Sequence, residues 1–121
     1  MISLPKLLRS FAYALRGIKI ATQKEQTFRI GLIIAALVIL LAFFLPLSTL
    51  ERALVIFAIF SVLGLELINT TSEKILDIVE KKHHPQVKDI KDMMAGVVFL
   101  AVLTALIIGL LVFWPYFQKI I

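Results

Sequence analysis

The sequence predicts an all-α membrane protein in which an N-terminal amphipathic surface helix precedes three transmembrane helices. Three observations carry that prediction. The chain has 121 residues, 60% of them hydrophobic, and a mean hydropathy of +0.99. A soluble domain of this size would then expose large apolar patches to water. Two stretches hold no charge, eighteen residues from Ile30 to Leu47 and twenty-six from Met93 to Gln118. Each reaches the roughly 18–20 apolar residues needed to cross a ~30 Å hydrocarbon core. A third stretch, Ala53 to Ile68, carries only Glu66 and extends through Asn69, Thr70, Thr71 and Ser72. An open sheet in lipid could not satisfy its backbone, so the spans are helices.

Residues 4–23 read as the surface helix. Leu7, Leu8, Phe11, Ala14, Leu15 and Ile18 form an apolar face, and Lys6, Arg9, Arg16 and Lys19 supply cations. That combination holds a helix to anionic lipid, although a simple anchor would show the same periodicity. The segment has neither the continuous apolar core nor the cleavage site of a signal peptide. The first span covers about residues 29–46 and ends at Pro46 and the short loop Leu47 to Leu50. The second covers about 51–72 and continues as helix to about Lys82. His83-His84-Pro85 breaks it, because proline disfavours helix in the residue before it. Helix three starts near Val87, spans about 91–115 and stops at Pro115. Trp114, Tyr116 and Phe117 then form an aromatic belt. No repeat, low-complexity segment or second domain interrupts this single unit of residues 1–121. With no cysteine, no disulfide is involved.

Charge sets the orientation. Lys6, Arg9, Arg16, Lys19, Lys24 and Arg29 precede the first span, and Lys74, Lys81, Lys82, Lys88 and Lys91 flank the loop between spans two and three. Only Arg52 and Lys119 lie on the other side, eleven cations against two. The positive-inside rule places the N-terminus and the 80–90 loop in the cytoplasm and the C-terminus outside. A net charge of +5 could suggest nucleic acid, but this distribution points to headgroups and topology instead.

Within span two, Glu66, Asn69, Glu73 and Asp77 stand at i, i+3, i+7 and i+11. At 100° per residue they share a stripe narrower than a quarter-turn. Acids on a helix leaving a bilayer core are costly, so they imply partners and function. Glu25, at the turn from surface helix to span one, and Lys91-Asp92, at the start of span three, fall on the same side of the membrane. Carboxylates from different helices are the hard oxygen ligands that Mg²⁺ prefers, and a lysine beside them offers a point charge for phosphate. Such a set suits a nucleotide phosphate site. No Gly-x-x-x-x-Gly-Lys-Ser/Thr loop and no Gly-rich kinase loop is present, which excludes the soluble kinase architectures.

Taken singly, each piece has a plainer reading. Lys91-Asp92 suits a snorkelling pair, His83-His84 a solvated loop, and Glu25 with Arg29 an i,i+4 ion pair. A small transporter or channel would account for Glu66 as an intramembrane carboxylate site, and an assembly subunit would pack the stripe against partner helices. Neither accounts for the joint gathering of Glu25, Lys91 and Asp92 on one side.

Glu66-x-x-Asn69-Thr70-x-x-Glu73-x-x-x-Asp77, with Tyr13, Gly17, Lys24-Glu25-x-x-Phe28-Arg29, His84-Pro85 and Lys91-Asp92, resembles the prokaryotic diacylglycerol kinase and undecaprenol kinase family. The likeness runs from Arg9 to the end of span three, and the Glu-x-x-Asn-x-x-x-Glu-x-x-x-Asp element is its most specific part. It implies a lipid kinase of the bacterial inner membrane, using ATP and Mg²⁺. The lipid alcohol would be diacylglycerol, giving phosphatidic acid, or undecaprenol, giving undecaprenyl phosphate. It also implies a homotrimer with active sites shared between neighbours, and in-line transfer without a phosphoenzyme. By the same resemblance Glu66 is the general base, Glu25 and Glu73 hold Mg²⁺ against the ATP phosphates, and Lys91 meets the γ-phosphate beside Asp92. Lys6, Tyr13 and His84 are nucleotide contacts, Asn69 and Asp77 support the stripe, and Phe28 and Arg29 lie with Glu66 by the lipid. Thr71, Ser72, Leu15 and Asp89 depart from the family's usual residues at positions that bear on substrate fit. The segment from His84 to Gly96 is similar to the Gram-positive branch, which is associated with undecaprenol.

Overall fold

A computed structural model of the chain describes residues 1–79 and 84–121. It contains four helices among the described residues: α1 (Leu4–Lys24), α2 (Gln26–Phe44), α3 (Thr49–Val79) and α4 (Pro85–Ile120). Helices α2, α3 and α4 are each long and apolar enough to cross a membrane, which agrees with the three spans read from sequence. The expected continuation of helix two to Lys82, and His83 in the expected break, lie outside the described residues.

Glu25 alone separates α1 from α2. Its backbone is extended (φ −115°, ψ 112°), closing one helix and opening the next. Arg29 secures the joint: its Nη1 donates to Thr22 O at 3.0 Å and to Gln23 O at 2.9 Å. Those are last-turn carbonyls of α1 that have no partner within the helix. The plainer reading of Glu25 and Arg29 as an ion pair therefore fails, because this guanidinium serves the backbone.

At the far end of α2, Leu45 to Ser48 turn the chain into α3. Ser48 and Glu51 cap each other reciprocally: Glu51 N–H donates to Ser48 Oγ at 3.1 Å, and Ser48 N–H donates to Glu51 Oε1 at 2.9 Å. This capping box starts α3 at Thr49, two residues before the sequence reading placed it. Arg52 reaches back, donating from Nε to Ala42 O (3.0 Å) and from Nη2 to Leu45 O (3.1 Å). Its guanidinium also lies 5.6 Å from the Phe43 ring centroid.

The stop expected at Pro115 is corrected: α4 runs through it to Ile120. Proline removes one helical hydrogen bond and crowds the preceding turn. Contacts on both sides hold the helix here. Tyr116 OH donates to Glu51 Oε1 at 2.7 Å, and the rings of Phe113 and Phe117 sit 6.3 Å apart.

The core is small and lies at this same end. Ala42, Leu45, Leu47, Val55, Val112 and Phe113 form it, with Val38, Leu41, Ile59, Ile108 and Tyr116 packed against them. Helix α3 packs chiefly on α4 and next on α2, while α1 packs on α2. Most apolar side chains of the spans face outward, Phe57 at 72% and Leu111 at 73% exposure among them. In a bilayer such surface meets lipid or other helices without penalty.

Candidate active site

The polar end of the bundle lies opposite that core, where α1 joins α2, α3 ends and α4 begins. Glu66 stands at its deeper edge, half-buried on α3 against α2. A Cβ placed on Gly31 would come within 3.0 Å of Glu66 Oε2 and 3.3 Å of Leu63 Cδ2. The missing side chain at position 31 leaves room for the carboxylate against the α2 backbone, and an added methyl would push it by a few tenths of an ångström. A cavity of about 480 Å³ runs from there between α2, α3 and α4, past Ile34, Val62 and Leu106 to Phe113. Among the described residues, Thr27 and Glu66 bring the only polar side chains to its wall. Its size falls within the range of about 300–1,000 Å³ typical of small-molecule sites.

One turn further along α3, Asn69 Oδ1 is buried without a hydrogen-bond partner among the described residues. Leaving such a group unpaired costs about 1–3 kcal/mol. Next comes Glu73, exposed and about 10 Å along the helix axis from Glu66 at 1.5 Å rise per residue. At the last member of the stripe, Lys91 Nζ crosses from α4 to Asp77 Oδ1 at 2.6 Å. Asp92, the next residue, takes a different partner on its own helix, Lys88 Nζ at 2.7 Å. Glu25 Oε1 receives Lys74 Nζ at 3.1 Å, an ion pair joining the α1–α2 joint to α3.

The residues singled out from sequence are thus gathered in part. The structure brings Lys91 to Asp77, and Glu25 to Lys74 of α3. Lys6 and Tyr13 remain exposed on α1. His84 caps α4, its Nδ1 accepting from Gln86 N–H at 3.1 Å. Phe28 is buried at 5% exposure, and Arg29 is occupied by the carbonyls of α1. Among the described residues no three potential metal-ligating side chains come together. A Mg²⁺ ion bound with a nucleotide asks the protein for only one or two carboxylates, the rest coming from phosphate and water. Glu25, whose carboxylate already holds a cation, fits that requirement.

Sequence reasoning passed over Lys74 and Gly31. Gly31 carried a faint signal, a glycine within an otherwise apolar run. Lys74 carried none, since nothing local says which carboxylate across the bundle it will meet.

The fold and this end of it define a multi-pass membrane protein with a carboxylate- and lysine-bearing site beside an apolar cavity. Residues 12–113 match the family described as prokaryotic diacylglycerol kinase. The chain is 36% identical over 112 residues to the undecaprenol kinase of Bacillus subtilis (strain 168), covering 93% of this chain and 91% of that one. It is 34% identical over 111 residues to a diacylglycerol kinase of Helicobacter pylori (strain J99), covering 92% and 80%. The Escherichia coli (strain K12) diacylglycerol kinase shares 24% over 112 residues, covering 93% and 92%. The chain belongs to the prokaryotic diacylglycerol kinase family, and with it to the ATP- and Mg²⁺-dependent lipid kinases of the inner membrane.

Proposed function

We propose that Glu66 is the general base of this kinase, acting on a primary hydroxyl carried by a long hydrocarbon. The observation that carries this reading is the position of Glu66 as the one ionisable side chain, among the described residues, on the wall of the apolar cavity. A hydrocarbon chain lying along that cavity has its hydroxyl within reach of the carboxylate. Glu66 accepts the hydroxyl proton, the lipid oxygen attacks the γ-phosphorus, and the bond from that phosphorus to the ADP oxygen breaks. General base catalysis of this kind contributes about 10²–10⁴-fold.

Lys91 supplies a positive charge to the γ-phosphate, with Asp92 beside it and Asp77 holding the ammonium toward α3. Glu25 and Glu73 would hold Mg²⁺, whose chemistry is charge neutralisation at the ATP phosphates. His84 uses Nδ1 for its cap, so its contact with nucleotide falls to Nε2. Lys6 and Tyr13 meet the nucleotide from α1, which lies in the cytoplasmic membrane interface by its basic and apolar faces. Phe28 backs the joint from within, and Arg29 acts on the lipid side by fixing that joint. The charge distribution supports a cytoplasmic N-terminus and 80–90 loop with an external C-terminus. The outward apolar faces and the orphaned Asn69 acceptor support assembly with further copies, in the homotrimer that the family resemblance implies.

Relatives named for undecaprenol and for diacylglycerol both align over more than nine-tenths of this chain. Either lipid offers the primary hydroxyl that this reading requires. The test supplies both lipids side by side to purified protein in detergent, with γ-labelled ATP. Label in phosphatidic acid or in undecaprenyl phosphate names the acceptor, and Glu66→Gln removes it while ATP binding persists. Full turnover in that variant would sink the assignment of the base. Label in neither product would favour the transporter reading of an intramembrane carboxylate.

A further inference from the structure

Lys74 holds the carboxylate that the proposed reading assigns to the metal. Its Nζ lies 3.1 Å from Glu25 Oε1, with the lysine 54% and the glutamate 28% exposed. Glu25 occupies the single extended position between α1 and α2, so the direction of its side chain is not fixed by a helical ladder of its own. A lysine ammonium is a compact point charge on a flexible stem. At hydrogen-bond distance it fills the place where Mg²⁺ would sit at about 2.0–2.1 Å from a carboxylate oxygen. Two cations do not share that place.

We infer that Lys74 competes with the divalent cation for Glu25. The inference rests on the reading of Glu25 as a metal ligand. Lys74 gives Glu25 a counter-charge from the same helix that carries Glu73. The exchange is mild because the lysine is exposed and the glutamate only half-buried: an ion pair open to solvent shifts a competing equilibrium by about two- to fivefold.

The experiment measures Mn²⁺ binding without nucleotide, from the electron paramagnetic resonance signal of free Mn²⁺. It uses the full chain in lipid nanodiscs. Lys74→Met is expected to tighten binding about two- to fivefold, and Lys74→Arg to return it to the parent value. In a Glu25→Gln background, Lys74→Met is expected to change nothing. Methionine is a good helix former and position 74 is exposed, so the fold tolerates the change.

If Lys74→Met leaves Mn²⁺ binding unchanged or weaker while Glu25→Gln weakens it, the competition is overturned and Glu25 stands as a ligand. If Lys74→Met still tightens binding in the Glu25→Gln background, the lysine acts through general charge and not through Glu25, which also overturns it. If Glu25→Gln alone has no effect, the ligand assignment falls and the inference falls with it.

Discussion

At the end where α2 passes into α3, polar side chains serve the backbone and one another. Arg52 satisfies two carbonyls of the α2 terminus, Ser48 and Glu51 cap α3, and Tyr116 ties α4 to Glu51. The buried core lies among them. At the other end, Glu66 lines a cavity, Asn69 Oδ1 has no partner among the described residues, and the ion pairs of Glu25 and Lys91 are open to solvent on one side. The same residue types are thus closed into the fold at one end and held ready at the other. What separates the two is packing. Contacts satisfied against a packed core rigidify a bundle, whereas ion pairs open to solvent and unfilled space leave groups that substrate can engage.

This contrast breaks if substitutions at the polar end cost stability, or if those at the packed end cost turnover. The largest effect is expected at Lys91, where Lys91→Met should cut the rate roughly 100-fold or more, the scale of losing one preorganised charge at the reacting phosphoryl. Steady-state kinetics with thermal unfolding would check it, and the unfolding midpoint should hardly move. Gly31→Val comes next. Its side chain must displace Glu66 from the α2 backbone, and a misplacement approaching 1 Å costs up to about 100-fold. Gly31→Ala, needing a shift of a few tenths of an ångström, should lose much less. Equal rates in parent and Gly31→Val would show that the position of the carboxylate against α2 is immaterial.

Smaller still are the changes at the packed end, and they fall on stability. Arg52→Met removes two hydrogen bonds from a charged donor and should destabilise the protein by about 1–3 kcal/mol. Thermal melts in detergent would record it, with specific activity at low temperature unchanged. Tyr116→Phe deletes one hydrogen bond to a carboxylate and should lower the melting temperature by less than Arg52→Met does. Loss of turnover by this variant without loss of stability would erase the distinction between the two ends.

Much of the fold was legible because the bilayer limits the choices. Uncharged runs of sufficient length become helices, and their ends follow charge and proline. Where the reading erred, a specific contact outweighed a local rule. Pro115 reads as a stop, but Tyr116 and Phe117 find partners that carry α4 past it. Ser48-x-x-Glu51 was a readable capping signal, and it moved the start of α3. The candidate site was legible only as an expectation, since Glu66, Glu25 and Lys91 share one side of a three-span topology. Their pairings were not legible.

The sequence by itself determined three spans, a basic side, and a stripe of acids emerging on that side, because periodicity and charge act along the chain. Only the tertiary structure decided that Lys91 meets Asp77, that Lys74 meets Glu25, and that Gly31 makes room for Glu66. Those contacts depend on how helices rotate and slide against one another. In this bundle that is decided by side chains many residues apart, for which no local pattern is written.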